Sequence, residues 1–358
     1  ERALIRLAKP WVGKDEQRAV AAVLQSGRLV QGPVVERFEH AVAALVGRKH
    51  AVAVSSGTAA LQLALKVLQV GHGDEVICPA LSWPSPAHAI RMAGGKVRFV
   101  DVDEDEWNGA PEAFGDARTP DTKAAIVIDQ FGNPARAAQI QQALGALPII
   151  EDAACALGSR FPNRPCGSLG TVSCVSFHPR KILTTGEGGM CLTDDDDVAE
   201  KLRMLRNHGQ LGGEFVVAAG NLRMTEMAAA LGLAQLKRLD EILARRRELA
   251  AVYREALATE VGLQSVPEGA ESNFQTLGAV LPQGRDRNTV RETMAERGVE
   301  TGVLSFAIHK LGSFAGSQAS LPIAEHIAAR GIALPLYPQM RNAEVEQVSI
   351  TLRGVLHE

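Results

Sequence analysis

No run of this chain approaches the ~18 consecutive apolar residues that a membrane span needs, and no secretory signal pattern is visible. The chain begins at Glu1 rather than Met, which leaves a removed leader open. A concentrated basic surface is also missing. Net charge is −3, so a nucleic-acid backbone is not the expected partner. The one basic cluster, Arg245-Arg246-Arg247, falls in a stretch rich in Ala, Leu and Glu and reads as the solvated face of a helix. Cysteine is sparse: Cys78, Cys155, Cys166, Cys174 and Cys191 are odd in number and form no CxxC pair. That pattern suggests neither a zinc site nor a disulfide framework, and it fits the reduced thiols of a cytoplasmic protein. Internal repeats and low-complexity segments are absent. What remains is 358 residues, 46% apolar and 22% charged, an ordinary balance for a globular protein. That length allows two domains, each with a buried core.

Two helices are expected over 14–46, from Val20, Val23 and Leu24, then Phe38, Val42 and Leu45, at helical spacing. Between them Ser26-Gly27-Arg28-Leu29-Val30-Gln31-Gly32-Pro33 is rich in turn formers. From residue 50 short apolar runs alternate with helical stretches. The runs are Ala51–Val54, Glu75–Cys78, Lys96–Val100, Ala124–Ile128, Pro148–Ile150, Cys174–Phe177 and Gly189–Leu192. Several are apolar throughout, as strands covered on both faces are. The helical candidates between them are Ala59–Gln69, Pro84–Met92 and Ala135–Leu144. Repeated strand–helix–strand units predict an α/β fold with a mostly parallel sheet flanked by helices. After Asp197 the pattern is helical over Val198–Asn207, Thr225–Gln235 and Arg238–Leu257. Strands at Thr276–Leu281 and Thr301–Val303 and helices at Thr289–Arg297 and Ala324–Arg330 then predict a smaller C-terminal α+β domain.

Three stretches carry chemistry. Ser55-Ser56-Gly57-Thr58-Ala59-Ala60-Leu61 closes a strand and opens a helix. Free N–H groups, a positive helix end and hydroxyls there suit a phosphate, although capping of the helix by Ser56 or Thr58 is the commoner reason for such residues. Glu151-Asp152-Ala153-Ala154 follows an apolar strand at its C-terminal end, where open parallel sheets bind ligands. An aspartate there can pair with a protonated pyridine nitrogen, or it can simply cap the next helix. Third, Ser176-Phe177-His178-Pro179-Arg180-Lys181 runs into Thr184-Thr185-Gly186-Glu187-Gly188-Gly189. A lysine held between a strand end and tight glycine turns, in a desolvated cationic pocket, can form a Schiff base with a carbonyl. Each stretch alone is a weak signal; their order and spacing together are specific.

With those stretches in place, the chain resembles the DegT/DnrJ/EryC1/StrS family of sugar aminotransferases, of fold type I among pyridoxal 5'-phosphate (PLP) enzymes. The likeness also covers Gly32-Pro33, Gly73-Asp74-Glu75-Val76-Ile77, Val100-Asp101-Val102-Asp103, Arg206-Asn207-His208-Gly209 and Gly220-Asn221-Leu222-Arg223-Met224-Thr225-Glu226. It implies a large PLP-binding domain over 1–240, which includes the N-terminal helical segment, and a small domain over 241–358. It implies that Lys181 carries the cofactor and moves a proton, and that Asp152 binds its pyridinium nitrogen. Gly57, Thr58 and Ser176 would hold the phosphate, with Asn221 reaching it from the partner subunit of a homodimer. Trp83 would stack on the cofactor ring. Cys155 stands where the family usually has Gln or His against the ring hydroxyl, and Leu222 replaces a commonly aromatic residue. Around Ser305-Phe306-Ala307-Ile308-His309-Lys310 the chain departs from the family's pattern, and His309 is read either as a substrate contact or as a surface residue.

The activity so implied is transfer of an amino group from L-glutamate, or L-glutamine, to a keto-sugar carried on a nucleotide. Relatives that dehydrate such sugars have His where this chain has Lys181, which favours transamination. A keto-cyclitol as acceptor, or a PLP-binding protein without turnover, remains open at this level. The expected partners are small molecules and a second copy of the chain, with no metal, nucleic acid or membrane.

Overall fold

The structure is a computed structural model that describes residues 4–162, 164–317 and 319–358. Its centre is a seven-stranded sheet built from β1 (His50–Val54), β2 (Glu75–Pro79), β3 (Lys96–Val100), β4 (Thr122–Ile128), β5 (Ile149–Asp152), β6 (Val172–Ser176) and β7 (Gly189–Thr193). The strand order is β1-β7-β6-β5-β4-β2-β3. From β6 to β3 every neighbouring pair is parallel, and only β7 runs against its two neighbours. All seven apolar runs of the sequence are therefore strands of one sheet. Ala124 to Ile128 are at most 5% exposed, which is why β4 reads as a continuous apolar run rather than an alternating one.

Helices cover both faces. The helix α1 spans Lys14–Ser26 and α2 spans Pro33–Val46. Pro33 starts α2 at its first turn, where the missing N–H costs nothing. Gly47 ends it at φ 71°, a left-handed position that favours glycine. The Glu226 carboxylate accepts the N–H groups of Gly32, Val34 and Val35, satisfying donors that the first turn of α2 leaves free. Val35, Phe38, Val42 and Val46 form the buried stripe of α2, and Phe38 packs on Phe177 with ring centroids 5.0 Å apart. Burying the Phe38 ring contributes about 3 kcal/mol. On the other face α3 (Gly57–Val67) is built of Ala and Leu, which lets it lie close on the sheet. Its N-cap is Ser56, whose Oγ accepts the Ala59 N–H at 3.0 Å. The helices α4 (Ser85–Met92), α5 (Pro111–Asp116) and α6 (Ala137–Leu144) complete the strand connections, and α7 (Asp196–Arg206) and α8 (Glu226–Leu236) follow β7.

The long helix α9 (Leu239–Leu257) leads into a second, antiparallel sheet of β8 (Gly262–Leu263), β9 (Leu277–Val280), β10 (Gly302–Val303) and β11 (Gly331–Leu334), in the order β8-β9-β11-β10. The helices α10 (Arg287–Glu296), α11 (Pro322–Arg330) and α12 (Asn342–His357) pack with it. Tyr253, Met294, Ile332, Val348 and Leu352 are in its core. Three of these elements, the two-residue β8, β11 and α12, lie beyond what the sequence reading expects. Strand β11 starts at Gly331, the residue that caps α11; the expected helix stops at Arg330, and the four residues after it are too short an apolar run to signal a strand by themselves. The stripe of α12, Val345, Val348, Leu352 and Val355, has clear helical spacing, a signal that the sequence reading left unused.

The arginine cluster on α9 corrects the sequence reading. Arg246 is 5% exposed, not solvated. Its guanidinium donates to the carbonyls of Phe274 (2.8 Å), Gln275 (2.6 Å) and Leu336 (3.1 Å), and burial pushes its pKa down to about 10. Arg245 donates to Met340 O, and Arg247 to Ser272 O and Gly158 O. Composition cannot show this, because the acceptors are backbone carbonyls distant in sequence.

Candidate active site

A cleft of about 520 Å³ opens at the C-terminal ends of β4, β5 and β6, faced by the N-terminus of α3 and by residues 303–306 that follow β10. In a parallel sheet this is where strand ends and helix starts leave polar groups without partners.

The loop after β6 carries the lysine. Phe177 O accepts the Thr185 N–H (2.9 Å) and the Thr184 hydroxyl (3.0 Å), and Phe177 N donates to Gly188 O (2.9 Å). These bonds close 177–188 into a compact loop. Gly186 turns at φ 83° and donates its N–H to Thr184 Oγ1. Gln235 on α8 holds the loop from behind, accepting the Thr184 N–H while donating to Trp11 O. Within the loop Lys181 N bonds His178 O, and the half-buried side chain enters the cleft, where Nζ lies 3.1 Å from Cys155 Sγ. A thiol is a weak acceptor, so this contact holds the amine loosely.

Asp152 ends β5 on the cleft floor and is 6% exposed. Burial raises its pKa to about 6, against the lowering effects of the Ala154 N–H and the Lys181 charge; Glu151 adds to the rise. Oδ1 accepts the Ala154 N–H at 3.1 Å, and the other oxygen has no donor among the described residues. A protonated ring nitrogen is the kind of donor such an oxygen lacks.

Glu151, one residue earlier, points to the opposite side of the strand. Its carboxylate accepts the N–H groups of Gly167 and Leu169 and the Ser173 hydroxyl. Asp129, wholly buried beside it at the end of β4, has its pKa pushed well above the carboxylate range, first by burial and then by the Glu151 charge.

Across the cleft, Gly57 N and Thr58 N have no acceptor among the described residues. A Cβ on Gly57 would come 2.8 Å from Ser176 Cβ, so only glycine lets the α3 terminus meet the end of β6. The Ser176 and Thr58 hydroxyls complete a concave set of donors. This is the chemistry of a phosphate cradle at a helix start, and together with the buried carboxylate and the lysine it fits PLP.

Of the residues singled out from sequence, Gly57, Thr58, Trp83, Asp152, Cys155, Ser176 and Lys181 all line this cleft. Trp83 stands at its edge, 65% exposed, with Phe306 edge-on at 5.6 Å. Asn221 does not line it. It is exposed and bridges Asn207 in a different part of the chain. His309 is neither a surface residue nor on the cleft: it is 2% exposed and bonds Glu325 at 3.0 Å. The cleft also includes Gln130, His178, Arg180 and Glu187, which the sequence reading had not assigned to it, and Ser305 and Phe306, which begin the stretch that departs from the family's pattern in its substrate-binding region. His178, Arg180 and Glu187 flank the lysine in sequence, which was the available signal. Gln130 and Ser305 are joined only by folding, with Gln130 Nε2 donating to Ser305 Oγ at 3.3 Å.

Residues 10–353 match the profile of the DegT/DnrJ/EryC1/StrS aminotransferase family. Among solved structures, the aminotransferase TlmJ from Streptoalloteichus hindustanus is 33% identical, with 99% of each chain covered and a TM-score of 0.94. A putative sugar aminotransferase, Spr1654 from Streptococcus pneumoniae, in its PMP form, is 26% identical, with 99% of this chain and 98% of that one covered and a TM-score of 0.94. DesI in the presence of its TDP-sugar product is 32% identical, with 99% of this chain and 94% of that one covered and a TM-score of 0.91.

Proposed function

Because the chain belongs to the DegT/DnrJ/EryC1/StrS aminotransferase family, we propose that it is a PLP-dependent aminotransferase that moves an amino group from L-glutamate, or L-glutamine, to a nucleotide-linked keto-sugar. The observation that carries this reading is the arrangement of three groups around one cleft: Lys181 Nζ, the buried Asp152 carboxylate and the donor-lined start of α3. The acceptor class is supported by the likeness to DesI, whose structure was determined in the presence of its TDP-sugar product.

When bound, PLP supplies a ring that takes up the electron pair left as the α-proton departs. Asp152 holds that ring by its nitrogen. Its burial makes the carboxylate eager for a positive partner, so the nitrogen stays protonated. Gly57 N, Thr58 N and the Ser176 hydroxyl hold the phosphate. Lys181 Nζ would attach the cofactor and would serve as the positioned acid–base group for the substrate carbon. Trp83 and Phe306 form an aromatic wall that fits a flat ring.

The active unit is a homodimer in which Asn221 completes the neighbouring subunit's phosphate site. The exposed apolar residues Phe215, Val216 and Val217, in the same part of the chain, support a buried interface there. It works in the cytoplasm with its five cysteines reduced; no helix among the described residues is long and apolar enough to cross a membrane.

The test is the visible absorbance of the purified protein with PLP. L-Glutamate should bleach the band of the lysine-bound cofactor, and a nucleotide-linked keto-sugar should restore it. Lys181→Ala should lose this turnover while keeping its fold. A wild-type band that neither glutamate nor glutamine alters would refute the reading.

A further inference from the structure

We propose that Arg180 binds the α-carboxylate of the amino donor. The inference rests on the aminotransferase reading above and extends it to a residue that had no assigned role.

A donor amino acid brings a carboxylate into the cleft, and that charge needs a partner once it leaves water. The cationic side chains of this chain that border the cleft are His178, Arg180 and Lys181. Lys181 is committed to the cofactor and the proton. His178 accepts the Arg180 backbone N–H on Nδ1 at 3.2 Å, so that nitrogen carries no proton and the ring is neutral. Its pKa is lowered, first by burial and also by the charges of Lys181 and Arg180, although Glu187 acts against this. Arg180 alone is left with a permanent charge.

That charge is uncommitted. Arg136, Arg206 and Arg238 each sit on a carboxylate, whereas the Arg180 guanidinium has neither a carboxylate partner nor a hydrogen-bond acceptor among the described residues. Its backbone, by contrast, is fixed. Gln275 Nε2 donates to Arg180 O at 2.6 Å, and buried Arg246 anchors Gln275 in turn through its carbonyl. Arg180 is exposed, with its guanidinium beside Gly302 next to the cleft residue Val303; the fixed backbone sets where that charge can reach, and the side chain orders when a ligand binds. Position selects the α-carboxylate over the side-chain one. The donor's α-carbon must lie within reach of Lys181 Nζ, and the α-carboxylate is one bond away from it. The adjacent residue on the same wall is therefore well placed to take it, in the bidentate manner of Arg with carboxylate.

The experiment compares wild type with Arg180→Gln and Arg180→Lys, all loaded with PLP. Glutarate, a donor analogue without the amine, is titrated calorimetrically, and the absorbance-monitored half-reaction with L-glutamate is run in parallel. Glutarate affinity should fall about ten- to a hundredfold in Arg180→Gln, with Arg180→Lys between. The glutamate concentration for half-saturation should rise by the same factor, while the limiting rate changes less than about threefold. Wild-type glutarate affinity and half-saturation in Arg180→Gln, with the cofactor band intact, would overturn the inference. Failure of the aminotransferase reading shows differently: wild type itself would leave the cofactor band unchanged on adding any amino acid, whatever stands at position 180.

Discussion

Asp152 is costly to the protein without its cofactor, and the cost can be measured. Its pKa rises from the ordinary 3.8 to about 6 in the fold, chiefly through burial. A carboxyl whose folded pKa is raised favours folding while it is protonated and opposes it once it is ionised. The contribution is thus fully present below pH 3.8 and is lost as pH rises through 6. The 2.2-unit difference is worth about 3 kcal/mol at pH 8, and about half of that at pH 5. Because the side chain is only 6% exposed, solvent screening takes little from this figure. Asp152→Asn removes the charge and keeps the shape. In cofactor-free protein the variant should be about 3 kcal/mol more stable than wild type at pH 8, with roughly half that gain at pH 5. Urea melts followed by circular dichroism at both pH values would show it, as would a melting temperature higher by about 4 °C at pH 8. Adding PLP should narrow the difference, because wild type gains a pyridinium partner that Asn cannot stabilise as strongly. A variant no more stable than wild type at pH 8, or one with the same gain at both pH values, would refute the reasoning. Stability given up at one buried carboxylate is the expected cost of a site shaped for a cation.

Gly57→Ala places a Cβ 2.8 Å from Ser176 Cβ, so the start of α3 must move off the end of β6; it should weaken PLP binding at least about tenfold and also lower the melting temperature of the cofactor-free protein, as equilibrium titration and thermal melts would show. Arg246→Met leaves the carbonyls of Phe274, Gln275 and Leu336 without their donor. It should cost on the order of 3 kcal/mol in urea unfolding, and by releasing Gln275 it should also loosen the loop that carries Lys181, measurable as faster amide exchange over 178–185.

The sequence by itself determined the large sheet and the reactive groups. Seven apolar runs separated by helical stretches admit few arrangements other than a mostly parallel sheet, because a strand buried on both faces must be apolar throughout and its crossovers must be helical. Gly57, Asp152 and Lys181 were legible because each follows a strand end, and in such a sheet strand ends converge on one edge. What only the tertiary structure decided depends on partners far apart in the chain. Arg246 looked solvated because its acceptors are carbonyls 28 to 90 residues away. His309 is buried because Glu325 and the ring of Phe99 come to it from other elements. The upward push on the Asp129 carboxyl comes from its burial and then from its closeness to Glu151, which β4 and β5 produce only when they pair in register, Val127 beside Glu151 and Ile128 beside Asp152. Local pattern fixes what lies along one strand or helix, since neighbours in sequence are neighbours in space there. Charge state and burial are set by whatever the rest of the chain brings alongside, and only the folded arrangement contains that.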